Sequence, residues 1–159
     1  MLTETTVNAL HQRISDEANA RSICMAYQNW CEKNGYPNTK LFCQQLANDH
    51  WANHNDLVEY LQECGHHSHT PNVNPQPEDI KNFHHLMDLL VIMSQKHLQA
   101  LNDTVQTCWQ QNDYDTMPFL NTRISKEISR HKRLSTWKKQ LRGLPQSGEG
   151  ILIFDQSIK

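Results

Sequence analysis

The chain has 159 residues, the size of one domain, and a chain of this length buries a core without disulfide or metal support. Its five glycines and six prolines argue against a turn-rich β-sandwich or a low-complexity chain. A formal net charge of -2 argues against a strongly basic nucleic-acid binder. The five cysteines are scattered, and neither a signal sequence nor a bilayer-length apolar run is visible. We therefore expect a cytoplasmic protein with reduced thiols and no nucleic-acid or membrane partner.

Helix-breaking residues are clustered and leave four long stretches in which apolar side chains recur at spacings of three, four and seven. These spacings predict helices over about 4–33, 38–64, 78–108 and 116–142, with Asp115 or Thr116 capping the fourth. A short fifth element, from Gly150 to Ile158, fits a strand or a helix equally well. The pattern predicts an all-α four-helix bundle in one domain, 1–159.

The linkers between the predicted helices constrain the topology. About three residues separate the first two helices, which predicts an antiparallel hairpin. The linker from Gly65 to Pro77 can reach about 43 Å when extended, and a helix the length of the second is about 40 Å long. This linker can therefore cross the length of the bundle and make the second and third helices parallel. The alternative is a long loop in an up-down-up-down bundle.

Each predicted apolar stripe is interrupted near its middle by polar residues. They are Glu17 and Arg21 on the first helix, His50 and Asn53 on the second, Ser94 and His97 on the third, and Glu127 with Arg130 on the fourth. Buried charges are costly unless they are paired or bind metal, so four helices with polar groups at similar depth predict one shared interior site. Di-iron bundles use a Glu-x-x-His motif on two helices, and neither the second nor the fourth helix has one.

Several short motifs make the chain similar to a known family. They are Met1-Leu2, Trp30-Cys31, Tyr60-Leu61 with Gly65, Asn112-Asp113-Tyr114, Phe119-Leu120, and Ser147-Gly148-Glu149-Gly150 with Asp155. With them the chain resembles the bacterial non-haem ferritins along essentially its whole length. The resemblance implies a ferritin-like bundle with one long crossover and a short fifth helix over about 148–157. It also implies dimers that build hollow cages of 24 subunits, storage of ferric mineral, and ferrous oxidation at a di-iron ferroxidase centre.

The same resemblance indicates that the ferroxidase centre is degenerate. The equivalent positions are Glu17, His50, Asn53, Ser94, Glu127 and Arg130, of which Glu17 alone keeps the family's ligand. Arg130 is a permanent cation, and we expect it, with Arg21, to replace the irons and to pair with Glu17 and Glu127. We therefore expect a cage subunit related to iron storage with little or no ferrous oxidation of its own, which self-assembles or co-assembles with a catalytic ferritin chain.

Other hypotheses for the interior site stay open. Glu17, His50 and Glu127 could hold a single Zn or Fe ion, which would make the chain a transition-metal protein. A further alternative is that water molecules bridge the polar groups by hydrogen bonds and no metal is bound. This arrangement suits a structural or interaction cage protein that no longer handles iron. His97 is interpreted as a hydrogen-bonded core histidine. No haem is expected, because Trp51 stands where haem-binding relatives have a methionine.

Metal sites outside the interior are a separate hypothesis. Asp49 stands at a third iron position of bacterial members, and His50 with His54 could chelate one metal on a helix face. A cluster of His66, His67 and His69 at the start of the crossover could do the same, although a solvated loop is the simpler interpretation.

Overall fold

A computed structural model describes residues 2–69, 73–75, 77–146 and 148–159. Its helices are α1 (Glu4–Asn34), α2 (Pro37–Glu63), α3 (Phe83–Gln110), α4 (Thr116–Leu141) and α5 (Glu149–Ser157), and these described residues contain no strand. The predicted all-α four-helix bundle with a short fifth helix is confirmed. Over the same residues, none of the helices combines the length and apolar character needed to cross a bilayer.

Two apolar clusters fix the direction of each helix. One cluster joins Cys43 and Leu46 near the start of α2 to Phe83 and Leu90 in the first half of α3. The other joins residues near the opposite ends of these helices, Leu57 and Leu61 of α2 with Leu101 and Cys108 of α3. Helices α2 and α3 therefore run parallel, which is the arrangement that the linker length allows and not the up-down-up-down alternative.

The predicted helix ends agree with the structure within two residues, except at the start of α3. That helix begins at Phe83 rather than at 78, because Asn82 is extended and its side chain accepts a hydrogen bond from the His85 amide at 2.8 Å. The N-cap residue of α4 is Asp115, as predicted, but the side-chain bond to the first turn comes from another residue. Neither Asp115 nor Thr116 caps this helix through its side chain; Asp113 Oδ1 accepts from the Thr116 amide at 3.1 Å.

Helix α5 is tied to the start of α2 by a buried carboxylate. Asp155 accepts from the Thr39 amide at 2.8 Å, from the Thr39 hydroxyl at 2.6 Å and from the Asn38 amide at 3.2 Å. The N-cap residue of α2, Tyr36, makes no side-chain cap bond. Asp155 therefore acts as the N-cap of α2 from a distant part of the chain.

Candidate functional site

A layer of polar side chains lies between the two apolar clusters, at the middle of the bundle. Each of the four long helices contributes to it: Glu17 from α1, His50 from α2, Ser94 and His97 from α3, and Glu127 from α4. All five are buried. Burial of this kind requires that each polar group finds a partner, so the hydrogen bonds decide what the layer can do.

Glu17 is held by two histidines. His50 Nδ1 donates to Glu17 Oε2 at 2.6 Å, and His97 Nε2 donates to Glu17 Oε1 at 2.9 Å. The two imidazole rings are nearly perpendicular, with centroids 5.1 Å apart. Because an ionised carboxylate can only accept, these two ring nitrogens carry the protons.

The electrostatics of this triad favour charge separation. Burial alone would raise the pKa of Glu17, but the hydrogen bonds and positive charge of His50 and His97 outweigh it and lower the pKa to about 2. Burial alone would lower the pKa of His97, but its hydrogen bond to Glu17 and the nearby carboxylates raise it. Glu17 is thus an ionised carboxylate in a buried site.

Glu127 belongs to a second network beside the first. Ser94 Oγ donates to Glu127 Oε1 at 2.7 Å, and Arg130 Nη1 donates to Glu127 Oε2 at 2.6 Å. The other terminal nitrogen of Arg130 donates to Asp49 Oδ2 at 2.9 Å. Both oxygens of Glu127 are therefore satisfied without a metal, and the guanidinium links α4 to α2.

The structure differs from the sequence-based pairing of the two arginines. Arg130 binds Glu127 and Asp49, whereas the partners of Glu17 are His50 and His97. Arg21 is not part of the interior layer. Its guanidinium lies over the Trp51 ring, 4.4 Å from the centroid, where it covers the indole face. Of the two arginines predicted to supply permanent charge to the centre, only Arg130 therefore does so.

The donor atoms close enough to share a metal are not the predicted set. Glu17, His50 and His97 each offer one ligand atom, and these atoms lie within 4.8 Å of one another; the described residues contain no other such group. Glu127 stands outside it. The spacing of three from Ser94 placed His97 on the interior stripe, but the direction of its ring depends on packing between helices and could not be read from the sequence.

The remaining predicted metal ligands are dispersed. Asp49 is held by Arg130 and by Gln45 Nε2 at 2.9 Å. The ring of His54 stacks on Trp51 with centroids 4.5 Å apart, and its Nδ1 lies 3.0 Å from Asn55 Oδ1. His50 Nδ1 is bound to Glu17 instead, so the two histidines have different partners.

The crossover histidines also do not converge. The ring of His69 packs against His11 with centroids 4.9 Å apart, and the backbone oxygen of His67 lies 3.1 Å from His11 Nε2. His66, His67 and His69 do not form a metal-holding group in the part of the chain that the structure describes. The solvated-loop interpretation suits this geometry better than a metal cluster does.

A cleft between α2 and α4 leads from the surface to the polar layer. It has a volume of about 330 Å³ and is lined by Asp49, Ala52, Asn53, Asp56, His97, Arg123, Lys126, Glu127 and Arg130. Asn53 therefore faces this cleft rather than the Glu17 triad. The cleft gives small ions and water a route to His97 and Glu127.

Comparison with known proteins shows which family has this architecture. A model of the ferritin family, described as a ferritin-like domain, matches residues 7–144. The chain belongs to the ferritin family. The bacterial non-heme ferritin of Campylobacter jejuni is 25% identical, with 100% of this chain and 95% of that protein aligned. The bacterial non-heme ferritin of Escherichia coli O6:H1 is 21% identical over 99% of this chain and 96% of that protein.

Solved ferritin structures have the same fold. An open-pore ferritin from Archaeoglobus fulgidus superposes with a TM-score of 0.93 at 13% identity, covering 99% of this chain and 98% of that one. The Chlorobium tepidum ferritin superposes with a TM-score of 0.86 at 21% identity, covering 99% and 97%. The likeness of backbone at such low identity means that the ferritin fold has been kept here while most side chains differ.

Proposed function

We propose that this ferritin is a cage subunit related to iron storage whose ferroxidase centre is degenerate, so that it oxidises ferrous iron slowly or not at all. The observation that carries the proposal is the ion pair between Arg130 and Glu127, buried at the position where the family resemblance implies an iron ligand. A guanidinium does not lose its proton, so its charge stays in the site and opposes the binding of cations there.

The donor set supports the same conclusion. Two bridged irons need several hard oxygen ligands and a net negative site. The interior layer has two buried carboxylates, and the oxygens of both are taken: Glu17 accepts from two imidazoles, and Glu127 accepts from Ser94 and Arg130. The residues present therefore do not fit a di-iron centre, and they form a hydrogen-bonded layer that is complete without one.

Aerobic addition of ferrous iron to the purified chain tests the proposal. The formation of ferric product is followed by its near-ultraviolet absorbance, beside the Campylobacter jejuni relative and a protein-free blank. We expect the rate with this chain to match the blank. Fast oxidation in fixed stoichiometry to the chain would overturn the degenerate-centre proposal.

Assembly is a separate part of the proposal. We infer self-assembly into a hollow shell, with dimers building to a 24-mer, from the family membership and the conserved backbone shape. Size-exclusion chromatography with light scattering separates a dimer from a shell. Anaerobic loading with ferrous iron followed by oxygen then shows whether the shell retains mineral, and an empty shell would favour the structural or interaction role.

Co-assembly with a catalytic ferritin chain is the way in which an inactive subunit would still serve iron storage. Co-expression with the bacterial non-heme ferritin of Campylobacter jejuni, with an affinity tag on one chain only, tests it. Mixed shells that survive a second, size-based purification support co-assembly, and complete segregation of the two chains contradicts it.

A second candidate function is supported by one observation. Glu17, His50 and His97 form a buried group of one carboxylate and two imidazoles, which is a ligand set used by zinc enzymes and by non-haem ferrous sites. Glu17, His50 and His97 would hold the ion and leave a coordination position toward the cleft. Binding would require the two histidine protons that now point at Glu17 to leave.

Titration with cobalt, which reports tetrahedral coordination by its visible spectrum, tests this candidate. His97→Ala should abolish binding, whereas the matched variant Glu127→Gln, beside the site but outside the triad, should leave it intact. Loss of binding in Glu127→Gln with binding retained in His97→Ala would assign the metal to the predicted set of Glu17, His50 and Glu127 instead. No cobalt spectrum in the parent chain would eliminate the single-metal candidate.

A further inference from the structure

A second, larger cleft lies on the surface between α2 and α4. It shares Arg130 and Asp49 with the smaller cleft, but Glu17, His50 and His97 do not line it. Its volume is about 600 Å³, within the range of pockets that hold small organic molecules. One wall is formed by Lys126, Ser129, Arg130 and Arg133 of α4, which share a helix face because they are spaced by three, four and seven residues. Residues of α2 form the opposite wall.

The charge in this cleft is opposite in sign to that of the whole chain. Four basic residues line it, namely Lys126, Arg130, Arg133 and Lys159, against one acidic residue, Asp49. The formal charge of the complete chain is -2, so the basic residues are concentrated locally. Asp49 is already neutralised by Arg130 at 2.9 Å, which leaves the other cations available to a ligand.

Arg133 is held in place without an anionic partner. Its guanidinium carbon lies 4.6 Å from the centroid of the Trp137 ring and 5.5 Å from that of Phe42. Stacking fixes the plane of the guanidinium and leaves its N–H edge free for a planar or tetrahedral oxyanion. Neither Arg133 nor Lys126 forms an ion pair within the residues that the structure describes.

Apart from Asn38 and Gln45, the rest of the cleft is lined by apolar side chains. Leu41, Phe42, Leu46 and Ile158 line it, and Leu41 leaves 60% of its surface exposed. An inorganic anion would contact the basic wall and leave this apolar surface in water. An anion with an apolar body satisfies both walls, because it removes the leucine and phenylalanine surface from water while its head group meets Arg133 and Lys126.

We propose that this cleft binds a small amphiphilic organic anion, with a phosphate, sulfonate or carboxylate head group on the α4 wall and an apolar body against Leu41 and Phe42. The site is distinct from the interior triad, so the proposal does not depend on whether the chain oxidises iron. Its head group is recognised by charge and hydrogen bonding, and its body by burial.

Calorimetric titration of the purified full chain with n-octyl phosphate and with methyl phosphate tests the proposal. The titrations use a Tris chloride buffer of constant ionic strength and stay below the micelle concentration. We expect saturable binding of one octyl phosphate per chain, at least about ten-fold tighter than methyl phosphate, because the shorter ester has almost no apolar surface to bury. Equal affinity for the two esters would overturn the apolar half of the proposal.

Three surface variants locate the binding. Arg133→Gln and Lys126→Gln should each weaken octyl phosphate by about ten-fold, since each removes a charge-assisted contact. Lys132→Gln is the matched control: Lys132 is exposed on the same helix but does not line the cleft, and its loss should leave the affinity unchanged. The same loss in all three variants, or absence of saturable binding in the parent, would overturn the proposal.

Discussion

Arg130 Nη1 lies 2.6 Å from Glu127 Oε2, and the two residues stand three apart on α4. Arg130 leaves 16% of its side chain exposed and Glu127 only 4%, so the pair is largely removed from water. It joins Ser94 and Asp49 into one network that closes the middle of the bundle between α2, α3 and α4. In the proposed degenerate centre, this ion pair takes the place of a metal ligand.

Removing Arg130 should lower the stability of the protein, because the buried Glu127 carboxylate loses its counter-ion. We expect Arg130→Met to lower the free energy of unfolding by about 3 kcal/mol, since it leaves a buried charge without its counter-ion. The double variant Arg130→Met, Glu127→Gln should recover most of that loss. Denaturant unfolding measures both.

The matched control for this prediction is Lys138→Met. Lys138 pairs with Asp88 at 3.3 Å, and both side chains are more than a third exposed. Its loss should change the unfolding free energy by less than about 1 kcal/mol. If Arg130→Met is as mild as this control, Arg130 does not compensate Glu127 in solution.

The Glu17 triad should make stability depend on pH. The folded-state pKa of Glu17 is lowered from 4.5 to about 2, so its contribution is present above pH 4.5 and is lost as the pH falls toward 2. The pKa of His97 is raised above 6.5, so its contribution is present below pH 6.5 and is lost as the pH rises through the folded-state value. The contribution of Glu17 and His97 to the free energy of unfolding is therefore greatest between pH 4.5 and pH 6.5.

Unfolding in chelator across this pH range checks the pH prediction. Glu17→Gln should flatten the acid limb between pH 4.5 and 2, because glutamine does not titrate. His97→Gln should flatten the alkaline limb instead. An acid limb as steep in Glu17→Gln as in the parent would assign the acid sensitivity to other carboxylates.

One of the five thiols should react in the native protein. Cys64 is exposed and the other four cysteines are buried. Burial raises the pKa of Cys24 to about 12 and that of Cys108 to about 11, while a hydrogen bond with Cys31 and burial raise that of Cys43. Little reactive thiolate forms at these sites.

Titration with a disulfide reagent at mildly alkaline pH counts the reactive thiols. We expect one fast equivalent per chain in the native state and five after unfolding in denaturant. Cys64→Ser should remove the fast equivalent. A second fast thiol in that variant would mean that one of the buried cysteines becomes accessible in solution.

Restoring carboxylates should restore iron binding if the backbone has kept its shape. The variant Arg130→Glu, Ser94→Glu, His50→Glu, Asn53→His replaces the guanidinium and supplies oxygen and imidazole donors at the family's ligand positions. We expect it to bind ferrous iron in anaerobic titration, because hard oxygen ligands favour this ion. The single variant Arg130→Glu is the control for loss of the cation alone, and failure of the fourfold variant would show that the helices have shifted.

The docking of α5 should depend on Asp155. This carboxylate is 1% exposed and accepts from Thr39 and Asn38, so Asp155→Ala leaves the first turn of α2 without its cap. We expect a loss of about 2 kcal/mol, with faster hydrogen exchange of the Asn38 and Thr39 amides. Asp155→Asn, which keeps one acceptor oxygen, should lose less. Unchanged exchange in Asp155→Ala would show that α5 does not cap α2.

The helices could be predicted because the residues that set their ends and their buried faces are close together in the sequence. Breakers at Gly35 with Pro37 and at Gly143 mark helix ends, and the spacing of apolar residues marks the buried face. The start of α3 was missed because residues 78–82 contain no glycine or proline, whereas the side chain of Asn82 accepts from the His85 amide and begins the helix there. The remote cap of α2 was missed for a related reason: Asp155 and Thr39 are far apart in the chain and meet only after folding.

The sequence by itself determined the lengths and the buried faces of the helices and the depth at which Glu17, His50, Ser94, His97 and Glu127 meet. Each follows from spacing along one helix. The tertiary structure decided the parallel course of α2 and α3, which the linker length allows but does not require, and it decided the pairing of the polar groups. His97, and not Glu127, lies with His50 at Glu17. Arg130 pairs with Glu127 and Asp49. Arg21 lies over the Trp51 ring, outside the interior layer. Depth is set by the helix period, whereas partner choice depends on side-chain directions and distances between helices, which exist only in the packed bundle.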